Sequence, residues 1–247
     1  MSFLEKLILK STKKKLKKLD LRIANLEATV DCFLDNPQFK LTETVGFNGQ
    51  INRKKIFQDL LLAFPFEVII ETGTWVGNTT GYMATISKLP VYTSELNKRF
   101  YTLAKMRLSE FSNIYFELSD SREFLKKLAK TDLSGKEAFF YLDAHWHNDL
   151  PLEREIQIIS ENWKHSVIMI DDFQVPGDPG YGFDSYGKGK ELSIKTFSSI
   201  FSQFGWTPLF PTLPSSQETG KKRGCVVLVP KKGASQVQST IPGLAPL

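Results

Sequence analysis

Three aspartates stand where two apolar runs of the chain end. Asp143 follows the run AFFYL, and Asp171 with Asp172 follows SVIMI. If both runs are parallel strands, their carboxyl ends meet at one edge of the sheet, where such folds bind ligands. Three carboxylates in one pocket repel one another unless they are protonated or neutralised by a cation. Oxygen ligands of this kind suit Mg²⁺ or a similar hard divalent ion, such as Mn²⁺.

Two histidines, His145 and His147, follow the first of these aspartates. An imidazole has a reference pKa of about 6.5, so it can accept a proton near neutral pH. Alternation along a strand places residue 145 on the same side as Asp143, which makes His145 the first candidate for a general base and His147 the second. Structural histidines and solvated strand ends are the alternatives for these positions.

Predicted strands and helices that alternate along the chain must position these side chains. Predicted strands cover residues 67–71, 91–95, 114–118, 138–143, 166–171, 206–210 and 224–229. Predicted helices cover residues 53–64, 77–88, 97–110, 121–130, 152–163 and 191–204. Strands that alternate with helices indicate right-handed crossovers and a parallel sheet covered on both faces. The sequence therefore predicts an α/β fold with a doubly wound, Rossmann-like sheet of seven strands.

The loop after the first strand reads ETGTWVGNTT, with glycines at Gly73 and Gly77. A dinucleotide-binding loop needs a glycine where this chain has Trp75, so that the pyrophosphate can approach the backbone. A phosphate-binding P-loop ends in Gly-Lys-Ser/Thr, which this loop lacks. The loop therefore favours a nucleoside ligand without phosphates, and S-adenosylmethionine is such a ligand.

This loop resembles the first motif of class I S-adenosylmethionine-dependent methyltransferases, and the later motifs follow in order over residues about 48 to 230. The resemblance implies that Glu95, at the end of VYTSE, binds the ribose hydroxyls and that the final strand is antiparallel. Ser119, Asp120 and Ser121 correspond to the adenine contacts, although Asp120 could simply cap a helix. The residues expected at the cofactor are Glu71, Gly73, Thr74, Gly77, Thr79, Glu95, Ser119, Asp120, Ser121 and Asp143.

The acidic strand ends resemble those of the metal-dependent O-methyltransferases of the catechol and macrolide-sugar types, and of the cephalosporin hydroxylase group. The resemblance implies methylation of a hydroxyl on a small molecule or a glycan, with Asp143, Asp171 and Asp172 holding Mg²⁺ or Mn²⁺. The catechol type has a lysine where this chain has Trp146, so a lysine base is not expected. The alternatives are a metal-independent methyltransferase, other chemistry of the cephalosporin hydroxylase kind, and a non-catalytic module that binds the cofactor or oligomerises.

The predicted organisation has four parts. Residues 1–34 form a basic helix, residues 35–52 a linker, residues 53–232 the methyltransferase domain, and residues 233–247 a disordered tail. Residues 1–18 contain seven lysines and one glutamate, so the net charge of +5 belongs to the N-terminal segment and the remainder does not indicate a nucleic-acid partner. Two distant cysteines and the lack of a signal-peptide pattern predict a cytoplasmic protein.

The basic helix carries a seven-residue repeat of apolar residues at Leu9, Leu16, Ile23 and Val30. A second row, at Leu19, Leu26 and Phe33, completes the a and d positions of a coiled coil, which predicts a homodimer. The alternatives are a helix packed on its own domain and peripheral contact with an anionic membrane.

The segment 173–190 is long and rich in glycine, and it follows the predicted metal pair directly. Its aromatic residues, Phe173, Tyr181, Phe183 and Tyr186, could stack on an acceptor, so we predict a lid over the acceptor site. An ordinary surface loop is the alternative.

Overall fold

The structure, a computed structural model, describes residues 3–34, 46–145, 149–231 and 239–247. The helices in these ranges are α1 (Phe3–Leu34), α2 (Ile51–Ala63), α3 (Asn78–Ser87), α4 (Lys98–Arg107), α5 (Ser121–Leu128), α6 (Leu152–Asn162) and α7 (Ile194–Gln203). The strands are β1 (Val68–Thr72), β2 (Val91–Glu95), β3 (Ile114–Leu118), β4 (Ala138–Leu142), β5 (Ser166–Asp171), β6 (Trp206–Pro211), β7 (Cys225–Pro230) and β8 (Leu244–Ala245).

The strands form one sheet in the order β3-β2-β1-β4-β5-β7-β6-β8. The strands from β3 to β5 in that order are parallel, and β7 runs antiparallel to both β5 and β6. The order reverses between β1 and β4, and the carboxyl ends of the strands beside such a switch point form the usual ligand crevice. Asp143 follows β4 directly and Asp171 ends β5, so both lie at this crevice.

The core lies on both faces of the sheet because alternate residues of each central strand point to opposite sides. On one face, Ile70, Phe140 and Ile168 belong to a cluster with apolar residues of α5, α6 and α7. On the other, Ile69 and Phe139 belong to a cluster with residues of α2 and α3. Strands buried on both faces explain why the sequence shows apolar runs rather than polar–apolar alternation.

The predicted doubly wound, mostly parallel sheet with an antiparallel strand β7 is confirmed, with one strand more than expected. The eighth strand, β8, pairs with β6 and comes from the segment predicted to be a disordered tail. That prediction is wrong for residues 239–247, because Ile241 and Leu244 are buried in the core. Burial of these two apolar side chains orders the segment, although the residues around them are small or proline.

The predicted linker is also wrong in its last part, residues 46–52. Phe47 is fully buried, and its ring contacts those of Phe57, Tyr82 and Tyr141. A short turn over Gly46–Gly49 then leads into α2. This stretch belongs to the domain, and residues 35–45 lie outside the described part of the chain.

Helix α1 packs along α4 through one face only. Ala24 is buried, Asp20 forms an ion pair with Lys98, and the Thr102 hydroxyl lies 3.4 Å from the Asn25 side-chain oxygen. The heptad residues are 43–65 % exposed; they are Leu9, Leu16, Leu19, Ile23, Leu26 and Val30. Packing on α4 therefore leaves about half of the surface of each stripe residue exposed, with Leu16, Leu19 and Ile23 bordering Lys98. Among the described residues, no helix is both long and apolar enough to cross a membrane.

Candidate active site

A cavity of about 1010 Å³ lies at the carboxyl edge of β1, β2, β4 and β5. One end is lined by Glu95, the residues that follow it, and the β3–α5 turn. The other end is lined by Asp143, His145, Asp172 and residues of two later loops. The cavity therefore joins the predicted cofactor residues to the predicted acidic site.

The loop after β1 needs its two glycines for backbone reasons. Gly73 has φ of +86°, and a Cβ there would lie 2.3 Å from the backbone oxygen of Asp143. Gly77 has φ of +81°, and a Cβ there would lie 2.7 Å from the Leu108 side chain. A larger residue at either position would be strained and would separate the loop from β4 or from α4. Gly73 lines the cavity. Gly77 caps the N-terminus of α3 and is not among the cavity-lining residues.

Three predicted cofactor residues, Glu71, Thr74 and Thr79, are not among the cavity-lining residues and hold the loop from beneath. Glu71 is 1 % exposed and accepts hydrogen bonds from the hydroxyls of Thr80 and Thr93 at 2.5 and 2.6 Å. Burial raises the pKa of its carboxyl to about 7, although both hydrogen bonds oppose that shift. The Thr74 hydroxyl lies 2.5 Å from that of Thr93, and Thr79 accepts a hydrogen bond from a backbone N–H.

Glu95 lies in the cavity wall, as predicted. Its two carboxylate oxygens accept hydrogen bonds from the backbone N–H groups of Trp75 and Asn97 at 2.8 and 2.7 Å. Burial raises the pKa of this carboxyl. A carboxylate offers about four acceptor positions, so Glu95 can still accept hydrogen bonds from a pair of ligand hydroxyls. The rings of Trp75 and Phe100, which sequence reasoning did not assign to the site, form the apolar wall beside it.

The β3–α5 turn brings Ser119, Asp120 and Ser121 to the same end of the cavity. Asp120 caps α5 by accepting a hydrogen bond from the Arg122 N–H at 2.9 Å, and it also forms an ion pair with the Arg122 guanidinium. These hydrogen bonds lower the pKa of the Asp120 carboxyl. Asp120 thus caps the helix and lines the cavity at once, so the two roles weighed for it are compatible.

At the other end, Asp143, His145 and Asp172 lie together. One ligand atom from each of the three lies within 4.8 Å of the other two. His145 Nε2 lies 3.7 Å from an oxygen of Asp143 and 3.8 Å from an oxygen of Asp172. Asp172 has a left-handed backbone with φ of 52°, which aspartate tolerates better than most residues. Because of this backbone conformation, the Asp172 carboxylate has different neighbours from the Asp171 carboxylate.

The structure does not bring Asp171 into this group, contrary to the predicted metal role. The Asp171 carboxylate forms a buried ion pair with Arg53 and accepts hydrogen bonds from the Tyr141 hydroxyl at 2.7 Å and from the Asn48 amide at 3.3 Å. Its own oxygen also accepts from the Asp172 N–H at 2.8 Å. With its charge neutralised and its acceptor positions filled, Asp171 stabilises the edge of the sheet.

Sequence reasoning also missed Arg223, which joins Asp172 to Asp184 through two ion pairs. Burial would raise the pKa of the Asp172 carboxyl, but its hydrogen-bonding and charged neighbours, Arg223 among them, outweigh burial and lower that pKa to about 2. The Asp143 carboxyl has no such partner, and burial together with the charges of Asp171 and Asp172 raises its pKa well above the usual range. Arg223 is inconspicuous in the run GKKRG, and Arg53 is equally so in NRKK.

The segment 173–190 is fixed in place more firmly than a lid would be. Phe173 and Tyr181 are buried in the core, so these two rings do not face an acceptor. Phe183 is partly buried and is not among the cavity-lining residues. Only Tyr186 of the four predicted rings lines the cavity, where its hydroxyl lies 2.7 Å from an Asp184 oxygen and 3.0 Å from the His145 backbone oxygen. His147 and Trp146 lie outside the described residues.

Comparisons with known proteins give structural relatives only. No protein-family model matches the chain, and no curated protein matches it in sequence. An O-methyltransferase from Bacillus cereus, solved with S-adenosylhomocysteine, is 15 % identical and has a TM-score of 0.54; the match covers 83 % of this chain and 90 % of that one.

A second relative is an O-methyltransferase from Streptomyces achromogenes involved in tomaymycin synthesis, solved with S-adenosylmethionine. It is 16 % identical and has a TM-score of 0.52, with 84 % of this chain and 89 % of that one covered. Together with the strand order and the crevice described above, these likenesses show that the chain has the class I methyltransferase fold.

Proposed function

We propose that this protein is an S-adenosylmethionine-dependent O-methyltransferase that binds an acceptor hydroxyl beside a divalent cation at Asp143 and Asp172. The observation that carries the proposal is the continuous cavity from Glu95 to these aspartates. Its volume of about 1010 Å³ is at the upper end of ligand pockets, which suits a cofactor together with a small acceptor or the end of a glycan.

The cofactor end supports S-adenosylmethionine over a dinucleotide. The Trp75 N–H is engaged by Glu95, so it is not available to a phosphate, and the indole stands where a dinucleotide fold needs glycine. Glu95 can accept from the ribose hydroxyls, while Ser119 and Ser121 line the same end of the cavity. When bound, S-adenosylmethionine supplies an electrophilic methyl group, so the protein has to align the acceptor and assist its deprotonation.

The acceptor end has the donor set for a divalent cation. Asp143 and Asp172 offer carboxylate oxygens. Burial and then the neighbouring acids raise the pKa of the Asp143 carboxyl, and a bound cation would oppose both effects. A bound divalent ion lowers the pKa of a hydroxyl that it contacts and fixes its position. Tyr186 and Arg223 line the wall beside these acids and can orient a polar acceptor through hydrogen bonds.

The acceptor hydroxyl must lose its proton at or before methyl transfer, and the proton needs a base or solvent to receive it. His145 and His147 are the candidates from sequence. Tyr186 is a poor one, because burial and its hydrogen bond with Asp184 raise the pKa of its hydroxyl and keep it protonated.

Labelled methyl transfer tests the proposal. The full-length protein is incubated with S-adenosylmethionine carrying a labelled methyl group and with a panel of diols, phenols and sugars, with and without EDTA. We expect label in at least one vicinal diol, catechol or sugar, and loss of transfer in EDTA. Transfer that persists in EDTA would indicate a metal-independent methyltransferase. Cofactor binding without transfer to any acceptor class would favour the non-catalytic module or chemistry other than methyl transfer.

Glu95→Ala should weaken S-adenosylmethionine about 10- to 150-fold, which corresponds to about 1.5–3 kcal/mol for hydrogen bonds to a charged group. Isothermal titration calorimetry measures the change. Glu110→Ala removes an exposed glutamate near α4 and should leave affinity unchanged. Equal affinity for Glu95→Ala and wild type would exclude the ribose contact.

We also propose that α1 pairs with α1 of a second copy. The support is the heptad stripe, which the packing of α1 on α4 leaves about half exposed. Asp20, which lies beside the stripe, pairs with Lys98 of its own chain and is therefore engaged within that chain. Pairing must therefore come mainly from burial of the apolar stripe.

Replacing Leu16 and Ile23 together by serine should convert a dimer into a monomer of 28.1 kDa. The reason is that both side chains occupy a positions of the stripe and are about half exposed in the single chain. Light scattering coupled to size exclusion measures the mass. The matched control is Lys10→Ser with Lys17→Ser, which lie seven residues apart and directly after Leu9 and Leu16. A monomeric wild type would refute pairing, and binding of that monomer to anionic vesicles would support the membrane alternative.

A further inference from the structure

We propose that His145 is a metal ligand rather than the general base, and that Asp143, His145 and Asp172 together select a transition-metal ion such as Mn²⁺ over Mg²⁺. The inference deepens the proposed function and rests on it for the presence of a cation at this end of the cavity. It replaces the general-base role that the sequence predicts for His145 with a metal-ligand role, and it favours Mn²⁺ where the sequence predicts either Mg²⁺ or Mn²⁺.

The spacing of His145 from each of the two aspartates fits a shared ion. Two atoms that each lie about 2.1 Å from one metal are at most about 4.2 Å apart. His145 Nε2 lies 3.7 Å from an Asp143 oxygen and 3.8 Å from an Asp172 oxygen. These separations are too long for hydrogen bonds but lie within the range for ligands of a common ion.

The His145 nitrogen itself indicates a missing ligand. Nε2 is buried and has no hydrogen-bond partner, and the side chain is 3 % exposed. Buried polar atoms without a partner are uncommon in folded proteins, and they often mark a place where an ion or a water molecule binds. Because this unpartnered nitrogen faces oxygens of two carboxylates, a cation between the three atoms would satisfy all of them.

The local charge balance leaves room for a divalent cation. Arg53 neutralises Asp171, and Arg223 contacts one oxygen of Asp172 and one of Asp184. Four aspartates therefore share two arginines and the nearby Lys221, which still leaves an excess of negative charge at the site. The Asp172 oxygen that faces His145 is the one that Arg223 does not contact.

The ligand types decide which ion binds best. Mg²⁺ prefers oxygen ligands and water, whereas imidazole is a good ligand for first-row transition metals. A site with two carboxylates and one imidazole should therefore bind Mn²⁺ more tightly than Mg²⁺. A nitrogen that coordinates the metal cannot accept the acceptor proton, which leaves that task to another group or to solvent.

Mn²⁺ binding to the full-length protein tests the inference independently of turnover. Electron paramagnetic resonance of free Mn²⁺ gives the affinity, competition with Mg²⁺ gives the preference, and pulsed measurements on bound Mn²⁺ detect a directly coordinated nitrogen. We expect at least about 10-fold preference for Mn²⁺ and a nitrogen coupling in wild type. His145→Ala should lose the coupling and bind Mn²⁺ at least about 10-fold more weakly.

His165→Ala is the matched control, because it removes an exposed imidazole outside the site and should change neither quantity. Bound Mn²⁺ without nitrogen coupling in wild type would overturn the inference without relying on any variant. Absence of Mn²⁺ binding would also overturn it. Titration of the same sample with S-adenosylmethionine separates these outcomes from failure of the proposed function, since we expect the cofactor to bind at the Glu95 end of the cavity whether or not a metal binds.

Discussion

Asp143→Asn should lower kcat/KM for methyl transfer about 10³-fold, and EDTA should do the same to the wild-type protein. Asp143 is the carboxylate of the site that no arginine neutralises, and its pKa is raised by burial and by the neighbouring acids. Asparagine keeps the size of the side chain but removes the charge that attracts the cation. The acceptor hydroxyl then loses both its position and the lowering of its pKa.

A steady-state assay measures the change in kcat/KM, and its substrate is the acceptor that the labelled-transfer experiment identifies. Asp132→Asn makes the same change of charge in an exposed turn before β4, away from the cavity, and should leave kcat/KM unchanged. Added Mn²⁺ should restore the EDTA-treated wild type and not Asp143→Asn. Full activity in either EDTA or Asp143→Asn would mean that these acids do not hold a catalytic cation.

Arg53→Met should destabilise the fold by about 3–5 kcal/mol, because it leaves the Asp171 carboxylate buried without its cation. The Arg53 and Asp171 side chains are only 2 % and 3 % exposed, so water cannot replace the lost interaction. Arg53 also donates a hydrogen bond to the backbone oxygen of Gly224 at 3.0 Å, which connects α2 to the start of β7. The loss should therefore affect the sheet edge that carries the site.

Urea unfolding measures the free energy of each variant. Lys55→Met, two positions along the same helix, removes an exposed (i, i+4) pair with Asp59 and should cost only about 0.3–0.5 kcal/mol. Arg53→Met combined with Asp171→Asn should be less destabilised than the sum of the single changes, because no unpaired charge remains. A cost below about 1 kcal/mol for Arg53→Met would show that the pair is not needed to neutralise Asp171.

The sequence predicts the sheet and the position of the acids because both depend on local periodicity. Apolar runs bounded by turns define the strands, and parallel crossovers place the strand ends at one edge. Asp143 and Asp172 therefore reach the same crevice as predicted. Gly73 and Trp75 indicate the kind of ligand from residue type alone, because glycine permits the turn and the indole stands where a pyrophosphate would lie.

The different roles of Asp171, which pairs with Arg53, and Asp172, which lies in the candidate metal group, could not be predicted from the sequence. It depends on Arg53, which lies 118 residues earlier in the chain, and on the left-handed backbone of Asp172. Only the folded sheet brings Arg53 to Asp171 and Arg223 to Asp172. The same holds for Phe47 and Ile241, whose segments lack periodicity and are ordered by burial alone.

The most direct test of the cofactor assignment is a calorimetric titration of the full-length protein with S-adenosylmethionine and, in parallel, with NADH. We expect saturable binding of S-adenosylmethionine and none of NADH, because Trp75 occupies the position that a pyrophosphate needs. Tight NADH binding without binding of S-adenosylmethionine would contradict the assignment.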